Sequence, residues 1–371
     1  MTEEQNKKDL LSLFKTIGLE QKANEVMGTG NTGYGAEFVP TQILSKELKE
    51  LVPTLSTLLP QLPGNHGNNL PKILTVPVRG LSVGDTLFQG KTEWNTGYPY
   101  QTQDDHGISR VPTKTVTLTQ KQFICEVQVS NEQLRYNAVD TEAYIKAEIA
   151  KGMAWTVDSL IINGDTETGA TGNVNSDDQA PATTFAATGG AKDHRLIIDG
   201  GIRERAINGG YTKDFGTLAD TDYSDLMTVL GRYATNPADL LFIQSIHVTQ
   251  KMRALDAFKL WTNSGDRAGI QKGITPTPFG VDVLTHHLVP RTEADGKMSG
   301  ATLANNVKGQ TLLLYKPAVQ YGFGQEMTFE VARVPGYGWR IICTFDFDFK
   351  LVDAADSLTE PTVAAGINIT V

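Results

Sequence analysis

The sequence predicts an α+β fold: a long helix on an elongated antiparallel sheet, a compact α/β unit beside it, and an extended β-arm. Three observations predict it. Ile145, Ile149, Met153, Val157 and Ile161 recur at every fourth position between Thr141 and Ile162. This is the period of one helix face, and ~22 residues at 1.5 Å each make a helix of roughly 33 Å. Trp339, Ile341, Cys343, Phe345, Phe347, Phe349 and Leu351 alternate with mostly polar residues. That is period two sustained over a strand of roughly 44 Å, well beyond the usual length. Ahead of both the alternation changes phase: Val116 and Leu118 share one face, whereas Phe123, Cys125, Val127 and Val129 share the other. A strand that swaps its buried face is leaving one packing environment for another, as an arm projecting from a body does.

The remaining elements follow in order. Residues 3–26 read as an amphipathic helix, with Leu10, Leu13, Phe14 and Ile17 at three- and four-residue spacing. It ends at Gly28-Thr29-Gly30-Asn31-Thr32-Gly33-Tyr34-Gly35, a flexible joint. Phe38-Val39-Pro40 leads into a helical stretch, Ile43 to Val52, stopped by Pro53, and residues 60–69 are rich in Pro, Gly and Asn. Strand-like Ile73–Val78, Thr115–Leu118 and Phe123–Val129 flank the long polar, Gly- and aromatic-containing stretch that forms the arm. Ser130-Asn131-Glu132-Gln133 fits a capping box for a short helix. On the long helix Glu142 and Lys146 form a correctly ordered ion pair, and Asn163-Gly164 supplies the stop. Residues 164–192 hold almost no large apolar side chain and read as a loop. From 193 to 315 helices (Asp222–Tyr233, Val248–Phe258) alternate with strands (Leu240–Ser245, Val281–Leu284, Thr311–Tyr315). Thr328–Val334 joins the long strand through a hairpin turn at Pro335-Gly336-Tyr337-Gly338. No internal repeat is evident.

Composition narrows the function classes. Hydrophobic residues are 40% and charged residues 20% of the chain, as in ordinary globular proteins. The formal net charge of -9 argues against a protein that grips nucleic acid phosphates, though not against one that encloses DNA. No apolar run approaches the ~20 residues that span a bilayer, so no membrane association is expected. The N-terminus, Met-Thr-Glu-Glu-Gln-Asn-Lys-Lys, lacks the apolar core of a secretory signal. Cys125 and Cys343 sit in strand-like runs outside any C-x-x-C spacing and are expected to be buried free thiols.

Catalytic and metal motifs are present only in fragments. Gly80-Leu81-Ser82-Val83-Gly84 fits a nucleophile elbow, but that elbow needs a helix directly after it. Asp85–Tyr100 contains Gly90, Gly97 and Pro99 and has no helical period, so a Gly-bounded turn at the root of the arm is the plainer reading. Gly28 to Gly33 fits G-x-G-x-x-G but follows a helix rather than a strand. Asp346 and Asp348 share a strand face with Lys350, opposite the phenylalanines, which suits a solvated or subunit-facing surface. The Asp and Asn residues of 163–178 lack the terminal Glu of a calcium loop. His286 and His287 are adjacent on an expected strand, so they should point to opposite faces and suit a shared metal poorly. The expectation is no catalytic, cofactor-binding or metal site, and no cofactor.

The order of these pieces resembles the major capsid protein family of tailed bacteriophages, whose fold also forms the floor of herpesvirus shells and is shared by encapsulins. The similarity runs from about Gly28 to Leu358. It is carried by Gly33-Tyr34-Gly35 with Phe38-Val39-Pro40, by Thr115–Leu118 leading through Val127–Glu132, and by Thr141–Asp165. Asn236-Pro237-Ala238-Asp239-Leu240-Leu241-Phe242-Ile243, Val281-Asp282-Val283 with Val289-Pro290, and the final hairpin complete it. The resemblance implies an N-terminal arm (1–37), a discontinuous peripheral domain (38–68, 116–192 and 316–358), an extended loop (69–115), an axial domain (193–315) and a C-terminal tail (359–371). It implies hexamers and pentamers tiling an icosahedral shell around double-stranded DNA, assembled in a bacterial cytoplasm and located in the virion. Portal, scaffolding protein, maturation protease and decoration proteins are the implied partners. The stretch before Gly28 is short for a large fused scaffolding domain, so either a separate scaffolding protein is expected or this helix is a vestige of one. Some relatives join subunits through Lys–Asn bonds, but Phe345–Asp353 contains no Asn. An encapsulin-type compartment is the alternative within this fold, and a serine hydrolase using Ser82 the alternative outside it.

Overall fold

The structure is a computed structural model. It describes residues 56–67, 69–79, 113–130, 141–167, 169, 172–177, 194–259, 275–324, 328–334, 338–352 and 361–371. The readings of helices at 3–26 and 43–52, the Gly28–Gly35 joint, the Ser82 motif and the helix after Ser130 lie outside these residues. The described strands are β1 (Ile73–Arg79), β2 (Thr113–Thr119), β3 (Lys121–Ser130), β4 (Thr212–Asp214), β5 (Leu240–Gln244) and β6 (Asp282–Thr285). They continue with β7 (Lys308–Tyr315), β8 (Val319–Phe323), β9 (Thr328–Val334), β10 (Gly338–Leu351) and β11 (Val363–Thr370). The described helices are α1 (Thr141–Asn163), α2 (Ile202–Asn208), α3 (Thr221–Leu230), α4 (Ile246–Arg253) and the single turn α5 (Asp256–Lys259).

The long alternating run forms the axis of the body sheet. One edge of β10 pairs with β3, from Gly338 opposite Ser130 to Phe347 opposite Lys121. The other edge is shared: β9 takes Gly338–Thr344 and β8 takes Phe347–Leu351, all antiparallel. Period two places Ile341, Cys343, Phe345, Phe347 and Phe349 in the core with Phe123 and Val129. Phe123 stacks on Phe345 with ring centroids 5.2 Å apart. Ile145, Ile149, Met153, Val157 and Ile161 of α1 close this core from above. Beyond Val157 the helix is buried all round, through Asn163, because α2 packs against it there.

The end of α1 depends on close approach rather than on a left-handed residue. The Gly164 amide still donates to the Leu160 carbonyl, at 2.9 Å, and its carbonyl accepts from Gly201 N–H at 2.8 Å. A Cβ on Gly201 would lie 2.5 Å from Gly164 backbone atoms, so two glycines meet back to back. The loop that follows is also not a solvated one. Asn163, Gly164, Asp165 and residues 173–176 are buried.

The second sheet has the order β4-β11-β7-β5-β6. Successive residues of β5 serve different cores: Leu240 and Phe242 join Tyr223, Leu226 and Met252 of α3 and α4, whereas Leu241 and Ile243 join the α1 core. A strand covered on both faces reads as a continuous apolar run, which is how Leu240–Ile243 appears in the sequence. The reading of 359–371 as a tail needs correction. Val363–Thr370 is β11, a nearly fully buried strand that pairs with β7 and β4. Its Val363-Ala364-Ala365-Gly366-Ile367 run does not alternate, and the Ala and Gly residues between Val363 and Ile367 are poor strand formers, so no periodicity announces it. No described helix is long and apolar enough to cross a membrane.

Candidate assembly site

The phase change noticed in the sequence is a change of sheet. β1 and β2 form a separate two-stranded antiparallel ladder, from Ile73 opposite Thr119 to Arg79 opposite Thr113. Gln120, buried between β2 and β3, breaks the strand, and its backbone N–H donates to the Lys72 carbonyl at 2.9 Å. Val116 and Leu118 bury one face of the ladder root, whereas Ile73 is 62% exposed. A two-stranded ladder is marginal alone, so the arm needs further cover.

Asp348 fixes the arm to the body. The sequence pattern puts it on a solvated or subunit-facing surface. Instead it is 2% exposed beneath the root of the arm, where its carboxylate accepts from Thr119 N–H at 2.6 Å. Burial holds its carboxyl above the usual carboxylate range, against the opposing pull of the Thr119 bond and Lys350. Alternation places Asp348 opposite the phenylalanines correctly. What lies over that face is a matter of tertiary packing.

Two polar knots lock the buried end of α1. In the first, Asp158 accepts from Ser56 Oγ at 2.6 Å, from Thr57 N–H at 3.2 Å and from His286 Nε2 at 3.1 Å. Leu288 N–H donates to His286 Nδ1 at 3.1 Å, so the ring proton sits on Nε2 and points at Asp158. Ser, His and Asp are the residue types of a nucleophilic triad, but the order is wrong. The serine hydroxyl donates to the carboxylate instead of the imidazole, and all three side chains are at most 4% exposed. The knot ties three chain segments together. His286 and His287 correct another expectation: β6 ends at Thr285, so the pleat does not separate them, and their rings stack at 5.0 Å.

In the second knot Arg203 is fully buried and donates to Asn163 Oδ1, Asn175 Oδ1 and the carbonyls of Val174 and Gly296, at 2.8 to 3.2 Å. Burial among neutral acceptors pulls its pKa down to about 9. Asp165 turns the loop by accepting from Val174 and Glu167 N–H at 2.8 and 2.9 Å. These residues look like solvent-facing loop chemistry in the sequence. Asp177, Glu293 and Asp295 each bring a carboxylate oxygen within 4.8 Å of the others. The 163–178 loop supplies only one of the three, and acidic groups at a surface commonly gather without a metal. Cys125 and Cys343 are free thiols facing each other across β3 and β10, half-buried and buried respectively, and burial pushes Cys343 up to about 12. On the outside, Trp155 of α1 is 54% exposed, with its ring edge-on to His287 at 5.4 Å, and Ile124 of β3 is 67% exposed.

Among the described residues the polar groups of the body serve as internal ties, the arm is a separate two-stranded ladder with Ile73 exposed, and Trp155 and Ile124 stand on the surface of the body, which are features of a structural protein. The chain belongs to the phage capsid family, whose model matches residues 76–268, just over half of its length. It is a major capsid protein, a structural component of the virion shell. Solved structures agree in fold. One from Microbacterium phage Oxtober96 is 12% identical, covers 92% of this chain and 94% of its own, and has a TM-score of 0.52. A satellite phage P4 procapsid structure that includes the size determination (Sid) protein is 11% identical over 100% and 98%, with a TM-score of 0.51. One from Mycobacterium phage Bobi is 12% identical over 93% of both chains, with a TM-score of 0.51. No curated protein matches the sequence. Similarity this low in sequence speaks for the fold alone.

Proposed function

We propose that copies of this chain form hexamers and pentamers that close an icosahedral shell around double-stranded DNA, and that the shell performs no catalysis. The observation that carries this is the arm. β1 and β2 share no sheet with the body, and their large apolar residues are not all covered by it. A ladder in that state gains stability from a neighbour. On this reading 38–68, 116–192 and 316–358 form the outer domain, 193–315 with β11 the axial domain, and 69–115 the arm that grips the next subunit. Portal, scaffolding protein, maturation protease and decoration proteins would act on that assembly. The non-catalytic reading is supported by the phage capsid family to which the chain belongs.

Replacing residues 72–114 with a short Gly-Ser linker should leave a cooperatively melting protein that fails to form shells. Circular dichroism melting beside negative-stain microscopy reads both outcomes. Closed shells from the replacement would refute the arm's role, and loss of folding would place the arm in the core. A fluorophosphonate probe labelling Ser82 would overturn the non-catalytic reading.

A further inference from the structure

Cys125 and Cys343 are the protein's two cysteines, and the fold sets them directly opposite each other on β3 and β10. The pairing around them is regular. Phe123 faces Phe345 on one side and Val127 faces Ile341 on the other, so the thiols sit mid-ladder on the inner face of the sheet. Directly opposite residues of an antiparallel pair have Cα atoms about 4.5 or 5.5 Å apart. Both separations lie within the roughly 4.4–6.8 Å that a disulfide spans, so a bond between them needs no backbone movement. The two thiols differ in access. Cys343 is sealed in the core, whereas Cys125 is half-buried and lines an open groove beside α1.

We propose that Cys125 and Cys343 form a redox lock, open as two thiols inside the cell that makes the chain and closed as a cross-strand disulfide in oxidising surroundings. The oxidant is a low-molecular-weight disulfide. The Cys125 thiolate attacks one of its sulfurs, forming a mixed disulfide and expelling one thiolate. Cys343 then yields its proton to water, its sulfur attacks the Cys125 sulfur, and the second thiolate leaves. The two protein thiols lose two electrons and two protons, and the oxidant is reduced to two small thiols. Burial pushes Cys343 up to about 12, with the neighbouring Cys125 adding to the rise, so the second step is slow beside exchange at a surface thiol. A component of a virion shell is made where thiols are kept reduced and persists where disulfides last, so slow closure suffices.

The lock fastens the root of the arm. β3 follows β2 through Gln120 and is held to the body along β10, so a bond between β3 and β10 secures the strand from which the arm departs. It also closes a loop that holds α1 to α5 and β4 to β9. A cross-link over a loop that long removes much of the freedom of the unfolded chain.

Reduced full-length protein, incubated under native conditions with oxidised glutathione and then alkylated in denaturant, tests the bond. Intact mass should show a chain lighter by two hydrogens that takes up no alkyl group. Peptide mapping should join Cys125 to Cys343 within one chain. A glutathione adduct that persists on Cys125, a disulfide-linked dimer, or two alkylated thiols would each overturn the proposal. The effect of the bond is read first without any variant. The oxidised protein should melt at least ~5 °C above the reduced one, and dithiothreitol should reverse the gain. In Cys125→Ala, the same oxidation should leave the melting temperature unchanged. No gain in the wild type, or an equal gain in Cys125→Ala, would overturn the lock.

Discussion

The two large sheets of this protein are built on opposite principles. The body sheet is two-faced: along β10 one set of alternate residues is buried, and the set between them is mostly half-buried, with the glutamate of the Arg340–Glu126 ion pair at 2.6 Å lying on the edge strand. The second sheet is covered on both faces at its centre, with β5 buried at every position and β7 at all but its ends. The difference is one of purpose. A sheet sealed on both sides holds its own shape, whereas a two-faced sheet with an edge strand and an arm has surface left to share with neighbours.

Removing an apolar side chain from each sheet sharpens that contrast most. Phe242→Ala in β5 should cost about 3–5 kcal/mol, because its ring lies against Tyr223 at 5.1 Å in a core with no route to solvent. Ile124→Ala in β3 should change stability by less than about 0.5 kcal/mol. Urea unfolding of both variants checks this, and similar costs would break the distinction between the sheets. At the joint between the two units, Asp158→Asn should cost about 1–3 kcal/mol, since an amide sets a donor against donors from Ser56, Thr57 or His286. An unchanged urea midpoint would show that the knot is incidental.

The smallest effect is expected at the root of the arm. Burial raises the Asp348 carboxyl above its ordinary value, so the folded state holds the proton more tightly than the unfolded chain. Its contribution is therefore fully present below the unfolded pKa, about 3.9, and is lost as pH rises through the folded value. Asp348→Asn keeps an acceptor for Thr119 N–H without the buried charge. It should melt above the wild type at pH 7, with the gap closing toward pH 4. A gap independent of pH would mean that the charge is not what Asp348 contributes.

Wherever a single face is buried, the pattern is legible in the chain alone. The stripe from Ile145 to Ile161, the alternation from Trp339 to Leu351, and the phase change between Leu118 and Phe123 each mark one boundary between apolar and polar surroundings. β11 and the Arg203 knot escape for the opposite reason. Val363–Ile367 faces apolar surroundings on both sides, and Asn163, Asp165 and Asn175 are buried polar groups whose hydrogen bonds are met inside the fold. Composition cannot distinguish such groups from a solvated loop.

The sequence by itself determined the helix, the long strand and the point where the arm leaves the body, because those depend on periodicities of 3.6 and two within one stretch of chain. Only the tertiary structure decided that the C-terminal residues join the five-stranded sheet, that Asp348 lies under the arm, and that Ser56, Asp158 and His286 meet as a tie rather than a triad. Those outcomes depend on residues far apart in the chain, and on which way each donor points when water is excluded.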